Sequence, residues 1–156
     1  MGARKPVASR TSSEQNVNMR LTNAFLANYA EARAGLFDIL GAFPEWWDVP
    51  KLPANLLVHL VVNLDLEEAD LGTTYFFEIG MNRPNQRFDL LGKIQATRDP
   101  SLEHVSGAPL RNVVVMPLPI LLAESGPHEL VVTSLDDSQI ARVPILVRVP
   151  ASVRSA

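Results

Sequence analysis

The sequence predicts an all-β chain, folded as an immunoglobulin-like antiparallel β-sandwich of about eight strands. Three observations carry this. The apolar segments are short and rich in β-branched and aromatic residues. Clusters of Gly, Pro, Asn and Asp punctuate them at regular intervals. No long segment shows an unambiguous helical period. A proline-bearing segment near the end also needs a sheet edge, which an open sandwich has and a closed barrel lacks.

The 156 residues fit one domain, long enough to bury a core without a disulfide or a metal. The chain has no cysteine, which excludes a thiol nucleophile, a disulfide scaffold and a cysteine zinc site. A net charge of −3 gives no basic footprint for nucleic acid, and 6% aromatic residues make a poor base-stacking platform. No apolar run approaches the length needed to span a bilayer. Arg4, Lys5 and Arg10 are not followed by the apolar run of a secretory signal, and Pro6 breaks the myristoylation pattern after Gly2. A soluble cytoplasmic protein is expected, with a transit peptide over the basic first residues as the alternative.

Residues 1–18 are polar and small and are expected to be a disordered basic tail. Met19 opens the first patterned segment and is a candidate translation start; the alternative is a basic arm that docks on a partner. The domain is expected over 19–150, with 151–156 as a C-terminal tail. In 19–30, Leu21, Phe25 and Tyr29 suit one face of a helix or one side of a strand. The strand is preferred, because a Gly35 turn links it to 36–43 as a hairpin. In that second strand Leu36, Asp38 and Leu40 oppose Phe37, Ile39 and Gly41, and it is expected to pack into the sandwich.

Residues 44–50 read as a loop between Pro44 and Pro50. The near-continuous apolar run 54–64 suits a central strand covered on both faces. An acidic connection through Glu67, Glu68 and Asp70 leads to a strand at 73–80. Residues 86–97 alternate, with Phe88, Leu90, Gly92, Ile94 and Ala96 on one side. A polar loop at 98–109 precedes the strand at 111–122, where Pro117 and Pro119 demand an edge or a bend. The last hairpin joins 127–135 to 139–149 through Asp136, Asp137 and Ser138, with Val143, Ile145 and Val147 inward and Arg142 and Arg148 outward.

The run DILGAF at 38–43, the Gly126, His128, Leu130 pattern and the short Val143, Pro144, Ile145 strand resemble an uncharacterised family of short bacterial proteins, many of them from actinomycetes. That family opens with a similar pair of strands and closes with a similar hairpin. The resemblance spans most of residues 20–149. It implies an immunoglobulin-like sandwich of bacterial origin, and it implies no activity and no catalytic residue. The tail and the Trp46-Trp47 loop lie outside the shared pattern.

Candidate chemistry is sparse. His59, His104 and His128 are far apart, and none has a second ligand at helical or strand spacing. No Gly-x-Ser-x-Gly elbow accompanies the serines; Ser106-Gly107 and Ser125-Gly126 read as turns. Glu67, Glu68, Asp70, Asp136 and Asp137 match no EF-hand spacing and read as charged connections. No metal and no cofactor is expected. Trp46 and Trp47 are the most informative pair. Two adjacent tryptophans in a loop do not bury on the same side: one plugs an end of the sandwich and the other is exposed as a partner or sugar-stacking surface, the alternative being that both fold over the core rim. Met116 and Leu118, on the proline-bearing strand, form a second candidate surface. The expected function is a non-catalytic interaction or assembly module that binds a protein partner or self-associates, without nucleic acid or membrane. The alternative is a small-ligand or carbohydrate-binding sandwich built on the Trp46-Trp47 loop.

Overall fold

A strand whose apolar residues point both ways needs cover on both sides, and the segment Ala54–Leu66 has it: Leu60, Val61 and Val62 are all buried. In the computed structural model, residues 19–33, 36–42, 44–101, 110–136 and 138–151 are described. They form nine strands: β1 (Arg20–Arg33), β2 (Leu36–Ala42), β3 (Trp46–Asp48), β4 (Ala54–Leu66), β5 (Thr74–Asn82), β6 (Phe88–Thr97), β7 (Leu110–Leu122), β8 (Gly126–Ser134) and β9 (Ile140–Arg148). The first sheet has the order β2-β1-β4-β7, the second β3-β9-β8-β5-β6. Every pairing is antiparallel except β3 on β9, which is parallel.

This order is that of an immunoglobulin-like sandwich. β4 and β7 stand where strands B and E do, and β9, β8, β5 and β6 follow the order G, F, C and C′. β1 lies beside β4 as strand A, and no D strand accompanies β7 among the described residues. Between the sheets lies one core, in which Leu60, Val62 and Leu64 of β4 face Phe77 and Ile79 of β5 and Leu130 of β8. β4 is the central strand that its apolar run predicts.

Three expectations change in detail, and a fourth falls partly outside the described residues. Residues 36–42 form a strand, but an exposed edge strand rather than one packed in the sandwich: Leu36 is 74% and Leu40 66% exposed. The cause lies in β1, which pairs with β4 only as far as Ala27 and with β2 from there to Arg33. The hairpin is thus a two-stranded arm. Second, the 44–50 loop contains β3. Third, the even-numbered residues of β6 do not share one side. Ile79 opposes Gly92 but Gly80 opposes Leu90, so Leu91 is an extra residue and the faces switch there. Ala96 is buried, whereas Phe88 and Leu90 are more than half exposed. The outward Phe88 ring lies across Gly80, where any Cβ would collide with it. Fourth, the expected hairpin turn around 137 is described only in part, since residue 137 lies outside the described residues, as do the tail 1–18, the link at 34–35 and residues 102–109.

The acidic connection after β4 has a structural task. A short 3-10 turn at Glu68–Asp70 buries the Asp70 carboxylate. One of its oxygens accepts the Glu67 backbone N–H at 2.7 Å, and the other accepts the Tyr75 hydroxyl at 2.7 Å. Tyr75 is itself buried, and desolvation, with the Asp70 hydrogen bond second, pushes its pKa up from the usual phenol value. Replacing Tyr75 with Phe leaves a buried carboxylate oxygen short of a donor. Tyr75→Phe should therefore destabilise the fold by about 1–3 kcal/mol, read as a lower urea midpoint with an unchanged slope.

Candidate functional site

Trp46 and Trp47 lie on a strand, and a strand sends adjacent side chains to opposite sides. Trp46 opposes Leu146 and Trp47 opposes Val147 across the parallel pairing with β9. Trp47 accordingly enters the main core, 8% exposed, while Trp46 stays outside, 47% exposed. The guanidinium of Arg148 sits 4.6 Å from the centre of the Trp46 ring. Asp48 fixes it there by a two-pronged pair, Nε to Oδ1 at 2.8 Å and Nη2 to Oδ2 at 2.9 Å. The same hydrogen bonds hold the Asp48 carboxyl below the usual carboxylate range.

Two shallow clefts flank the segment before β3. One, of about 430 Å³, is lined by Asn28, Gly41, Ala42, Pro44, Glu45 and Trp46. The other, of about 400 Å³, lies against Pro127, Pro144 and Leu146 and shares Pro44 and Glu45. The glycine of the DILGAF run is part of this geometry. Gly41 has φ +61°, and a Cβ there would overlap the Asn28 amide.

Met116 and Leu118 are not on the outside of β7. Both face the main core, and Leu118 is 4% exposed. The physical reason is register: Met116 opposes Leu60 and Leu118 opposes Val58, two inward residues of β4. Beyond Arg111 at its start, the outward residues of β7 are Val113, Val115, Pro117, Pro119 and Leu121. They oppose Asn63, Val61, His59, Leu57 and Asn55. β1 continues these rows with Asn23, Phe25 and Ala27. None of these outward positions is Asp, Glu, Lys or Arg, so the middle of the first sheet's outer face is uncharged.

Part of that face is dry. Phe25, Ala27, Ala30 and Val61 form a second buried cluster, with Ile39, Val113 and Val115 packed against it. Around it Leu57 is 66% and Leu121 54% exposed. The Tyr29 ring meets the His59 ring edge-on at 5.4 Å. Charge returns only at the two ends. Arg20 and Arg111 hold Asp65 at 2.9 and 3.5 Å, and on the arm Arg33 pairs with Glu31 and Asp38. The outer face of the second sheet differs: its apolar side chains are interleaved with the cross-strand ion pairs of Glu78 with Lys93, Glu129 with Arg142, and Asp48 with Arg148. Sequence reasoning missed this uncharged face. Its signal was there in the lack of charge on alternate residues from 113 to 121 and from 55 to 63.

The histidines are scattered. His59 lies on the outer face, His128 is buried at the start of β8, and His104 lies outside the described residues. No group of three or more metal-ligating side chains occurs among the described residues. No helix among them is long and apolar enough to cross a membrane. A scan against known protein families finds no match, and a search of curated proteins finds no similar sequence.

Two outcomes test this geometry. Iodide should quench Trp46 and leave Trp47 untouched, so Trp46→Phe removes the quenchable fluorescence. Two quenchable tryptophans in the folded protein would contradict the strand at β3. The second concerns His128. Its Nδ1 lies 3.0 Å from the Gly126 carbonyl, and its Nε2 is buried without a partner among the described residues. Burial pushes its pKa below the usual histidine value. A depressed folded pKa favours folding above the unfolded value of about 6.5, and that contribution is lost as pH falls towards the folded value. The urea midpoint should drop between about pH 7 and pH 5, and His128→Leu should flatten that part of the profile.

Proposed function

We propose that this protein is a non-catalytic interaction module that works through the outer face of its first sheet, binding a protein partner or a copy of itself. The observation that carries the reading is the uncharged strip around Leu57, His59, Pro117, Pro119 and Leu121. A sheet with one wet face ordinarily alternates apolar with polar residues, and large exposed apolar patches mark binding sites. None of the clefts described above is lined by the residues of the strip, which suits a macromolecular surface better than a small molecule. Its lack of basic residues argues against nucleic acid.

Affinity capture from the source cell after cross-linking tests the reading. Leu57→Glu and Leu121→Glu should each abolish the captured complexes. Leu90→Glu, an equally exposed position on the second sheet, should not. Complexes that survive both first-sheet substitutions would sink the proposal.

A second reading is favoured by the cleft beside Trp46, whose lining joins this exposed tryptophan with Asn28 and Glu45. It is binding of a small ligand or carbohydrate. Trp47 is in the core and takes no part, and Arg148 already occupies Trp46. Titration with neutral oligosaccharides should shift the Trp46 emission if this reading holds; unchanged emission at millimolar sugar removes it.

A further inference from the structure

We infer that the occupant of the first sheet's outer face is the same face of a second copy of this chain, packed face to face about a twofold axis. The inference rests on the interaction reading above and narrows it to one partner.

A twofold axis places a patch against itself, so the patch must be self-complementary. A patch of one charge sign repels its own copy. Here the face and its arm carry three arginines, Arg20, Arg33 and Arg111, and three acids, Glu31, Asp38 and Asp65. All six are already engaged in ion pairs within one copy, two centred on Asp65 and two on Arg33. The net charge of the region is thus zero, in a chain whose formal charge is −3. The excess negative charge lies elsewhere, so two copies approach here without net repulsion. A partner chosen by opposite charge has nothing here to read.

The size fits as well. β4 and β7 over nine residues each, and β1 over the five from Asn23 to Ala27, at a spacing of about 4.8 Å and about 3.4 Å per residue, give a face of about 375 Å². The arm adds roughly half as much again, for a footprint of about 600 Å² per copy and about 1,200 Å² for the pair, at the lower bound of specific interfaces, although Phe25, Ala27 and Val61 at its centre are already buried in one copy. The free edge of β7 is a poorer route. Pro117 and Pro119 have no N–H to offer a neighbouring strand, so a partner lies on this sheet rather than beside it there.

The arrangement is a four-layer stack, with two first sheets about 10 Å apart at its centre and the two second sheets outermost. Leu57, Leu121 and the Tyr29 and His59 rings, exposed or half-exposed in one copy, become interior. A single glutamate in this layer appears twice in the pair, without a countercharge.

Sedimentation equilibrium of the full chain, from about 1 to about 100 µM, reads the association directly. The wild type should reach twice the mass of the chain. Leu57→Glu and Leu121→Glu should each raise the dimer dissociation constant by about tenfold or more, and Leu90→Glu should leave it unchanged. The thermal midpoint of each variant at low concentration verifies folding, and Leu57→Ser, a milder change, should weaken the dimer in the same direction. A dimer indifferent to the first-sheet substitutions overturns the inference, as does one lost through Leu90→Glu. A monomeric wild type that still holds a different protein through Leu57 overturns the second copy and leaves the interaction reading. A monomeric wild type that holds nothing overturns both.

Discussion

The structure depends on β4 being covered on both faces. Leu60 and Val61 are neighbours in the chain, point to opposite sides, and are each almost wholly buried. The inner side is covered by the second sheet. The outer side is covered by residues of its own sheet, with Phe25 across from Val61 on one flank and Val115 on the other. That requirement fixes β1 and β7 in turn. β1 must send Leu26 inward and Phe25 outward, and the register shift between Leu21 and Asn23 lets Leu21 face inward as well. A slip of β4 by one residue would place His59, Asn63 and Asp65 in the core and expose Leu60, Val62 and Leu64, so the register is held firmly.

How much of this was legible in the sequence follows from how far each signal reaches. The continuous apolar run of β4 marks a strand buried on both faces, because no one-sided pattern explains it. The last hairpin was legible for the same reason: Val143, Ile145 and Val147 repeat with period two beside an Asp-rich turn. Signals that depend on a distant partner were lost. β3 is three residues long, and its partner β9 lies about a hundred positions further on, so Trp46 and Trp47 looked like a loop. The alternation of β6 seemed clean because a bulge leaves no trace in composition. Its extra residue, Leu91, is as apolar as its neighbours.

The candidate surface on β7 was misassigned for a related reason. Apolar side chains alone do not say which side of a strand meets the core. On β7 both alternating sets are apolar: Met116, Leu118 and Ile120 on one side, and Val115, Pro117 and Leu121 on the other. Only the register against β4 decides between them, and it sends Met116 and Leu118 inward. The run DILGAF misled in the opposite sense. It has the composition of a buried strand, but β1 parts from β4 at Ala27, and β2 stands at the edge with Leu36, Phe37 and Leu40 exposed.

The two sheets meet the same problem, an outer face in contact with water, in different ways. The second sheet sets ion pairs across neighbouring strands, so that charges lie among the apolar side chains of its surface. Such a face resists stacking, since burying it would strip water from Glu78, Lys93, Glu129 and Arg142 for little Coulombic return. The first sheet keeps its charges at the two ends and none between them. Burying that strip removes apolar surface from water and costs the desolvation of the Asn23, Asn55 and Asn63 amides, the His59 ring and the Tyr29 hydroxyl, of which Asn23 and Asn63 already bond to each other and Tyr29 donates to Glu31. The two outer faces of the same polypeptide therefore differ in what burying them would cost.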